Sequence, residues 1–295
     1  MENSRNLLNH VLPSYGHKII NDITALDCQS AVHRWFETVK DTKKYNIYAI
    51  MVFDYAIKKL KLIKENPAKD LSYPKKDNID ETGENYYTRE ELNYFGECMK
   101  KEVKRTNTYK WYTLFRLLSY TGMRKGEAFA LTWDDVDLED KEIKINKTLT
   151  RGVGNKIIVQ SPKTMRSKRI VTIDEETVVA SKRLKAEMKS TNIILGTKRS
   201  NLVFPNTKNT WTDPNQSNTK LDMIIKRYNL KKITPHGFRH THITLLFLAG
   251  ESIKVVQDRV GHGDITTTMD IYNHVMKENR DLVPTNFTDF MKNEG

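Results

Sequence analysis

Apolar residues recur at helical spacing in two runs near the start of the chain, residues 27–39 and 42–63. In the second, Tyr48, Val52, Tyr55 and Ala56 form the repeating face, and Lys58, Lys59, Lys61 and Lys64 gather toward its end, where cations suit the helix dipole. The pattern breaks over residues 66–87, where Pro67 and Pro74 oppose helix, Gly83 adds freedom and most positions are polar. Thr88 and Glu91 then form an S/T-x-x-E capping box that opens a helix, and a second helix covers 109–120, ending at Thr121–Gly122. Alternation with period two predicts strands at 142–149, 156–160 and 169–173. Helical spacing resumes at 175–190 and 216–228 and runs almost continuously through 237–272.

The pattern predicts a mainly α protein with a small antiparallel β-sheet. It divides into a helical domain over 1–70, a linker over 71–87, an α+β domain over 88–275 and a tail over 276–295. No repeat of 20–50 residues is visible. At 295 residues the chain is long enough for two domains with cores of their own.

Composition narrows the partner. Lys and Arg number 49 against 37 Asp and Glu, a formal charge of +12, which favours a polyanion. The longest clean apolar stretch, 243–249, is far short of the ~20 residues a spanning helix needs, and the N-terminus has no secretion-type apolar run, so no membrane partner is expected. The two cysteines, Cys28 and Cys98, have no ligand spacing and read as buried thiols of a reducing, cytoplasmic compartment. The basic excess concentrates between Lys141 and Ile170, which hold nine Lys or Arg residues and one acid, Glu142. A β-hairpin so charged is suited to lie along phosphates, so Lys147, Lys156, Arg166, Lys168 and Arg169, with Lys58, Lys59 and Lys61, are candidate DNA contacts. Lys163 falls at the turn between two strands, where it either reaches a neighbouring cleft as a proton donor or is a solvated tip.

Five of the eight histidines, His236, His240, His242, His262 and His274, fall within 39 residues. The first three suggest a metal site, but i and i+4 share a helix face while i+6 points away, and no HExxH pattern is present; no metal is expected. The better reading pairs histidine with arginine. His236 and Arg239 share a face at one helix start, after Pro235. Arg124 opens another, where free N–H groups favour anions. Two guanidiniums converging from separate helices are able to grip one phosphodiester, and Glu127 is placed to partner Arg124. Local physics reaches a phosphate site and stops there.

Three stretches carry a resemblance. TPHGFRHTHITLLFLAGESIKVVQDRVGHGDITTTMDIYNHV over 234–275 resembles the C-terminal signature of the tyrosine recombinase (phage integrase) family. TGMRKGEAFALTWDDVDL over 121–138 is similar to the family's first arginine box, and SPKTMRSKRIV over 161–171 to its β-hairpin lysine segment. The resemblance covers roughly 85–280 and is weaker over the preceding helices. It implies an N-terminal core-binding domain and a catalytic domain forming a C-shaped clamp around DNA. It also implies that Arg124 and Arg239 bind the scissile phosphate and that Lys163 is the general acid. His236 would assist proton transfer, His262 would hydrogen-bond the phosphate, Tyr272 would be the nucleophile and Glu127 a supporting acid.

The implied activity is cofactor-free, metal-independent strand transfer through a 3′-phosphotyrosyl link, integrating and excising a mobile element at double-stranded attachment sites. The implied assembly is a homo-tetramer on DNA, with a directionality factor as a further partner and tail 276–295 exchanged between protomers or packed on its own domain. The alternatives are a Xer-like resolvase, a type IB topoisomerase-like strand transferase and a non-catalytic DNA-binding protein. The family often carries an additional arm-binding domain and a further first helix; this chain starts near LLNHVLPSYG, which reads as a core-binding domain truncated at its start, the alternative being a naturally short member.

Overall fold

The computed structural model describes residues 7–38, 42–74, 85–152, 154, 156–161, 167–195, 200–261, 268–269 and 271–273. The chain divides into two compact units, Met1–Glu81 and Thr82–Gly295.

In the first unit a π-helical turn, Leu7–Val11, runs into helix α1, Leu12–Tyr15, followed by α2, Ala25–Thr38, and α3, Thr42–Tyr55. A second π-helical turn, Ala56–Leu60, ends at Lys61 in the left-handed conformation. The core joins Val11, Tyr15, Cys28, Ala31, Val32, Trp35, Ala49, Phe53 and Ala68. The buried face of α3 is not the expected one. It runs through Thr42, Asn46, Ala49 and Phe53, while Val52 and Tyr55 are exposed. Asn46 sits on this face with its Nδ2 donating to Ala68 O at 2.9 Å and to the Tyr73 hydroxyl at 2.7 Å, while its buried Oδ1 has no hydrogen-bond partner among the described residues.

The same bonds correct the linker. Leu71 and Tyr73 pack on the first core. At the other end, Asn85 Oδ1 accepts from the Thr234 amide at 2.8 Å and the Tyr87 amide donates to Thr241 Oγ1 at 2.9 Å, so residues 85–87 belong to the second unit. Proline and polar composition looked like spacer because side-chain bonds to distant residues leave no local pattern.

The second unit opens with α4, Arg89–Thr106, whose capping box has both bonds: Thr88 Oγ1 accepts from the Glu91 amide and Glu91 from the Thr88 amide. Then come α5, Lys110–Thr121, and the short α6, Lys125–Phe129. The strands form two sheets instead of one. β1, Val136–Asp137, β2, Glu142–Ile145, and β5, Arg169–Thr172, make an antiparallel sheet in the order β1-β2-β5, and β3, Thr148–Arg151, pairs with β4, Ile157–Gln160. The expected strand over 142–149 is cut at Asn146–Lys147, where both side chains turn to Asp135. Consequently β4 and β5 lie in different sheets and do not pair with each other.

Helices α7, Glu175–Leu195, α8, Gln216–Tyr228, α9, Gly237–Leu248, and α10, Ile253–Val260, complete the unit. The run expected to continue through 237–272 breaks after α9, where Gly250 has φ 90° and Ser252 caps α10. The main core carries an aromatic cluster in which the Phe238 ring lies 5.0 to 5.9 Å from those of Tyr87, Phe95 and Phe115. Because Phe238 precedes Arg239, this cluster anchors the start of α9. Both cysteines are buried. No helix among the described residues is long and apolar enough to cross a membrane.

One buried acid ties α4 to α8. Glu102 accepts from Arg105 Nε at 3.0 Å, Arg227 Nη1 at 2.7 Å and the Tyr228 hydroxyl at 3.1 Å. The Arg105 guanidinium, joined by Arg227 and Tyr228, outweighs burial and lowers the Glu102 carboxyl from its ordinary 4.5 to about 2. Its stabilisation is present above the unfolded value and is lost as pH falls from there toward 2. Glu102→Gln is expected to cost about 1–3 kcal/mol near neutrality. That difference from the unsubstituted protein should shrink as pH is lowered below 4.5, read by urea unfolding at a series of pH values.

Candidate functional site

Helix α5 ends at Gly122, whose φ of 64° suits a left-handed cap that glycine adopts without strain. A Cβ there would lie 2.7 Å from His242 Cδ2 and 3.0 Å from Val260 Cγ1, so its absence lets α9 and α10 approach. The Gly122 carbonyl accepts from Arg239 Nη1 at 2.7 Å. Two residues on, Arg124 caps α6. The first arginine box and the C-terminal signature, 115 positions apart between Arg124 and Arg239, thus meet at one peptide.

Arg239 is 1% exposed. Burial, and then the Arg124 charge, push its guanidinium down to about 9, against the pull of Glu127. Its backbone place is equally constrained: a Cβ on Gly237 would fall 2.6 Å from Asn85 O, so the residue-85 segment lies directly across the start of α9. Arg124 differs in having a side chain 41% exposed, open to a ligand. Glu127 holds it twice, Oε2 accepting from the Arg124 amide at 2.9 Å and Oε1 from Nη1 at 3.0 Å. The amide expected to attract an anion is therefore taken, and α6 is only a five-residue helix. The guanidinium, not the helix start, presents the positive charge.

Burial alone would raise the Glu127 carboxyl, but the Arg169 guanidinium, with Arg124, holds it below the ordinary glutamate range. Arg169, expected on DNA, is turned inward, its side chain 6% exposed against Glu127. Lys147, also expected on DNA, is bound to Asp135 and lies 3.3 Å from Thr132 Oγ1. Lys58, Lys59, Lys61, Lys156 and Lys168 are exposed. Lys163, Arg166, His262 and His274, as well as tail 276–295, lie outside the described residues.

His236 occupies the N-cap position of α9, its ring 4.8 Å from that of His240 and edge-on to it. The residue keeps an exposed edge, but desolvation of its ring pushes His236 down from 6.5 to about 4, reinforced by His240, Arg239 and Arg124. The imidazole is neutral at pH 7 beside two arginines and is able to accept a proton. Tyr272 packs its ring on Phe247, with centroids 5.1 Å apart and planes at 79°. Phe247 is eight residues beyond Arg239 on α9, roughly 12 Å along the axis. The structure thus brings Arg124, Arg239, His236 and Glu127 together and leaves Tyr272 on the neighbouring apolar cluster of Ile243, Phe247, Val256 and Val260.

Sequence reasoning missed Arg259 and the part played by His242. His242 Nδ1 lies 2.9 Å from Ser119 O and its Nε2 accepts from Arg259 Nε at 3.0 Å, which requires the Nδ1–H tautomer. Arg259 also donates to Tyr120 O and Thr172 O, both at 3.1 Å, tying α10 to α5 and β5. Burial, then Arg259, pushes His242 down to about 3. Its i+6 spacing from His236 excluded a shared ligand but gave no sign of this partner. Among the described residues, no group of three or more His, Cys, Asp or Glu is placed to hold a metal ion.

Arg239 is held on the Gly122 carbonyl and Arg124, two residues on, is held on Glu127, with a neutral imidazole nearby on a mainly helical unit. The model of the phage integrase family matches residues 86–279. The chain belongs to the phage integrase family, the tyrosine recombinases. It is 32% identical over 164 residues to the ICEBs1 integrase of Bacillus subtilis (strain 168), covering 55% of this chain and 44% of that relative. It is 29% identical over 297 residues to the integrase of Staphylococcus phage L54a, covering 92% of this chain and 78% of that one. The Tn1549 transposon integrase, solved in complex with transposon right end DNA, shares the fold with a TM-score of 0.75 at 21% identity, over 95% of this chain and 92% of that chain.

Both histidines are expected to stay neutral well below their ordinary value, so acid between 6.5 and 4 favours the unfolded chain, which takes up those protons first. The C2–H resonances of His236 and His242 should not move between about pH 8 and 5; a midpoint near 6.5 would mean that their surroundings do not disfavour the charged ring. Gly122→Ala, forced to positive φ and against His242, is expected to lose at least about 1–2 kcal/mol of stability in urea unfolding.

Proposed function

We propose that this protein is a site-specific DNA strand transferase that integrates and excises a mobile element. The observation that carries the reading is that Arg239, held on the Gly122 carbonyl, lies close enough to Arg124, held on Glu127, to feel its charge. Two fixed guanidiniums at one point suit the two non-bridging oxygens of a phosphodiester, and they stabilise the charge that builds as phosphorus becomes five-coordinate. Resemblance to the family supplies the remaining parts. The Tyr272 oxygen attacks phosphorus, the bond to the 5′-oxygen breaks, and Lys163 gives that oxygen a proton. The product is a 3′-phosphotyrosyl link and a free 5′-hydroxyl. The 5′-hydroxyl of a second strand then attacks the link and releases Tyr272, so two transesterifications conserve the number of phosphodiester bonds. His236, neutral at pH 7, takes part in moving the tyrosine proton, and His262 hydrogen-bonds the phosphate.

Double-stranded attachment sites are the substrate in this reading, supported by the transposon right end DNA bound to the Tn1549 integrase. Mobile-element integration is supported by the phage and ICEBs1 relatives. The match spans less than half the length of the ICEBs1 integrase, so the activity proposed is that of the present chain. The first unit is assigned to core-site DNA, with Lys58, Lys59 and Lys61 on its exposed surface, and exchange between two duplexes calls for four protomers. A directionality factor and exchange of tail 276–295 belong to the same proposal.

The test is covalent trapping on nicked candidate attachment-site DNAs in EDTA, read as a DNA–protein adduct on a denaturing gel. The adduct is expected without added metal and is expected to vanish in Tyr272→Phe. Arg124→Ala and Arg239→Ala should each slow it by roughly 100- to 1000-fold. An adduct that persists in Tyr272→Phe would remove Tyr272 as the nucleophile.

A further inference from the structure

Arg169 begins β5, the strand that follows the Lys163 segment, and three parts of the second unit meet on its guanidinium. Nη1 and Nη2 face the Glu127 carboxylate on α6 at 3.4 and 2.9 Å. Nε donates to Arg259 O near the end of α10 at 2.8 Å, and Nη1 also reaches Ser167 O at 3.3 Å. Glu127 simultaneously holds Arg124 by its amide and Nη1.

A carboxylate facing a single guanidinium cancels it. Were Glu127 to orient Arg124 alone, the arginine would be well placed but would offer a phosphate little net charge. A second guanidinium on the same carboxylate leaves one positive charge in surplus among the three groups. That surplus is presented at Arg124, because Arg124 is open and Arg169 is closed off.

We propose that Arg169 is a positioning residue for the strand-transfer site: it offsets Glu127, so that Glu127 orients Arg124 without neutralising it. Its bond to Arg259 O registers the same group against the helix that leads to His262. Arg169 itself touches no substrate. The inference rests on the strand-transfer reading for the identity of the anion, a phosphodiester.

Inorganic phosphate is the probe, followed by ³¹P line broadening, with site binding defined as the part lost in Arg124→Ala. Near-UV circular dichroism reports that each variant is folded. Arg169→Gln is expected to weaken site binding about tenfold, the scale of one charge-assisted contact. Removing the carboxylate as well, in the double variant Arg169→Gln with Glu127→Gln, is expected to restore binding to within about threefold of the unsubstituted protein, since the surplus charge returns. Arg169→Lys keeps the charge and is expected to stay within the same threefold range.

An ion pair that merely glued β5 to α6 would give no such rescue. A double variant as weak as Arg169→Gln overturns the proposal, as does a folded Arg169→Lys equally weak, or an Arg169→Gln that binds phosphate and forms adduct at the unsubstituted rate. Phosphate binding needs no tyrosine. If binding follows the expected pattern while no attachment-site DNA ever yields an adduct, the strand-transfer reading fails and the role of Arg169 stands.

Discussion

Three guanidiniums, those of Arg124, Arg169 and Arg239, share a largely buried corner, and like charges in a low-dielectric setting repel strongly. What permits the crowding is one carboxylate, Glu127, together with backbone carbonyls aimed inward: Gly122 O on Arg239 and Arg259 O on Arg169. Each comes from a different element. The loop after α5, helix α6, strand β5 and helix α10 are therefore positioned relative to one another by the need to compensate charge, and the aromatic cluster around Phe238 fixes α9 against them. Packing sets where the elements lie, and the buried acid sets how they are turned.

Two histidines, the buried His242 and the more exposed His236, complete the electrostatics by staying uncharged. His242 is locked into one tautomer between a carbonyl and Arg259, and His236 is driven neutral by desolvation and its basic neighbours. The positive character of the site thus comes from arginines, and even Arg239, pushed down to about 9, is charged at neutral pH. An imidazole that is neutral is free to accept a proton, whereas a protonated one would add a further repulsive charge beside Arg239.

Much of this was legible in the chain. Helices with strong periodicity and marked ends, such as the Thr88–Glu91 box, the Gly122 stop and residues 216–228, were expected where they lie, because their signals are local. The pairing of Arg124 with Glu127 was visible for the same reason, as neighbours one turn apart. The convergence of Arg124 with Arg239 was suggested only by residue type and resemblance. What could not be read was the fate of cations whose partners are distant in sequence. Lys147 and Arg169 have the composition of a phosphate-binding ribbon, yet Asp135 and Glu127, 12 and 42 positions away, draw them inside. The split into two sheets has the same origin, since Lys147 leaves the strand to reach Asp135. On α3, Asn46, tied by its Nδ2 to Ala68 and Tyr73, takes a place on the core face that the apolar stripe did not predict.

The contact between Arg239 and the Gly122 carbonyl spans 117 positions of the chain. A contact of such long range forms only when most of the second unit has been made and has folded. During synthesis, a ribosome-bound chain that has not yet emitted α9 already displays the exposed lysines of the first unit and carries Arg124, but not Arg239. The topology thereby keeps Arg124 and Arg239 apart until α9 has been made.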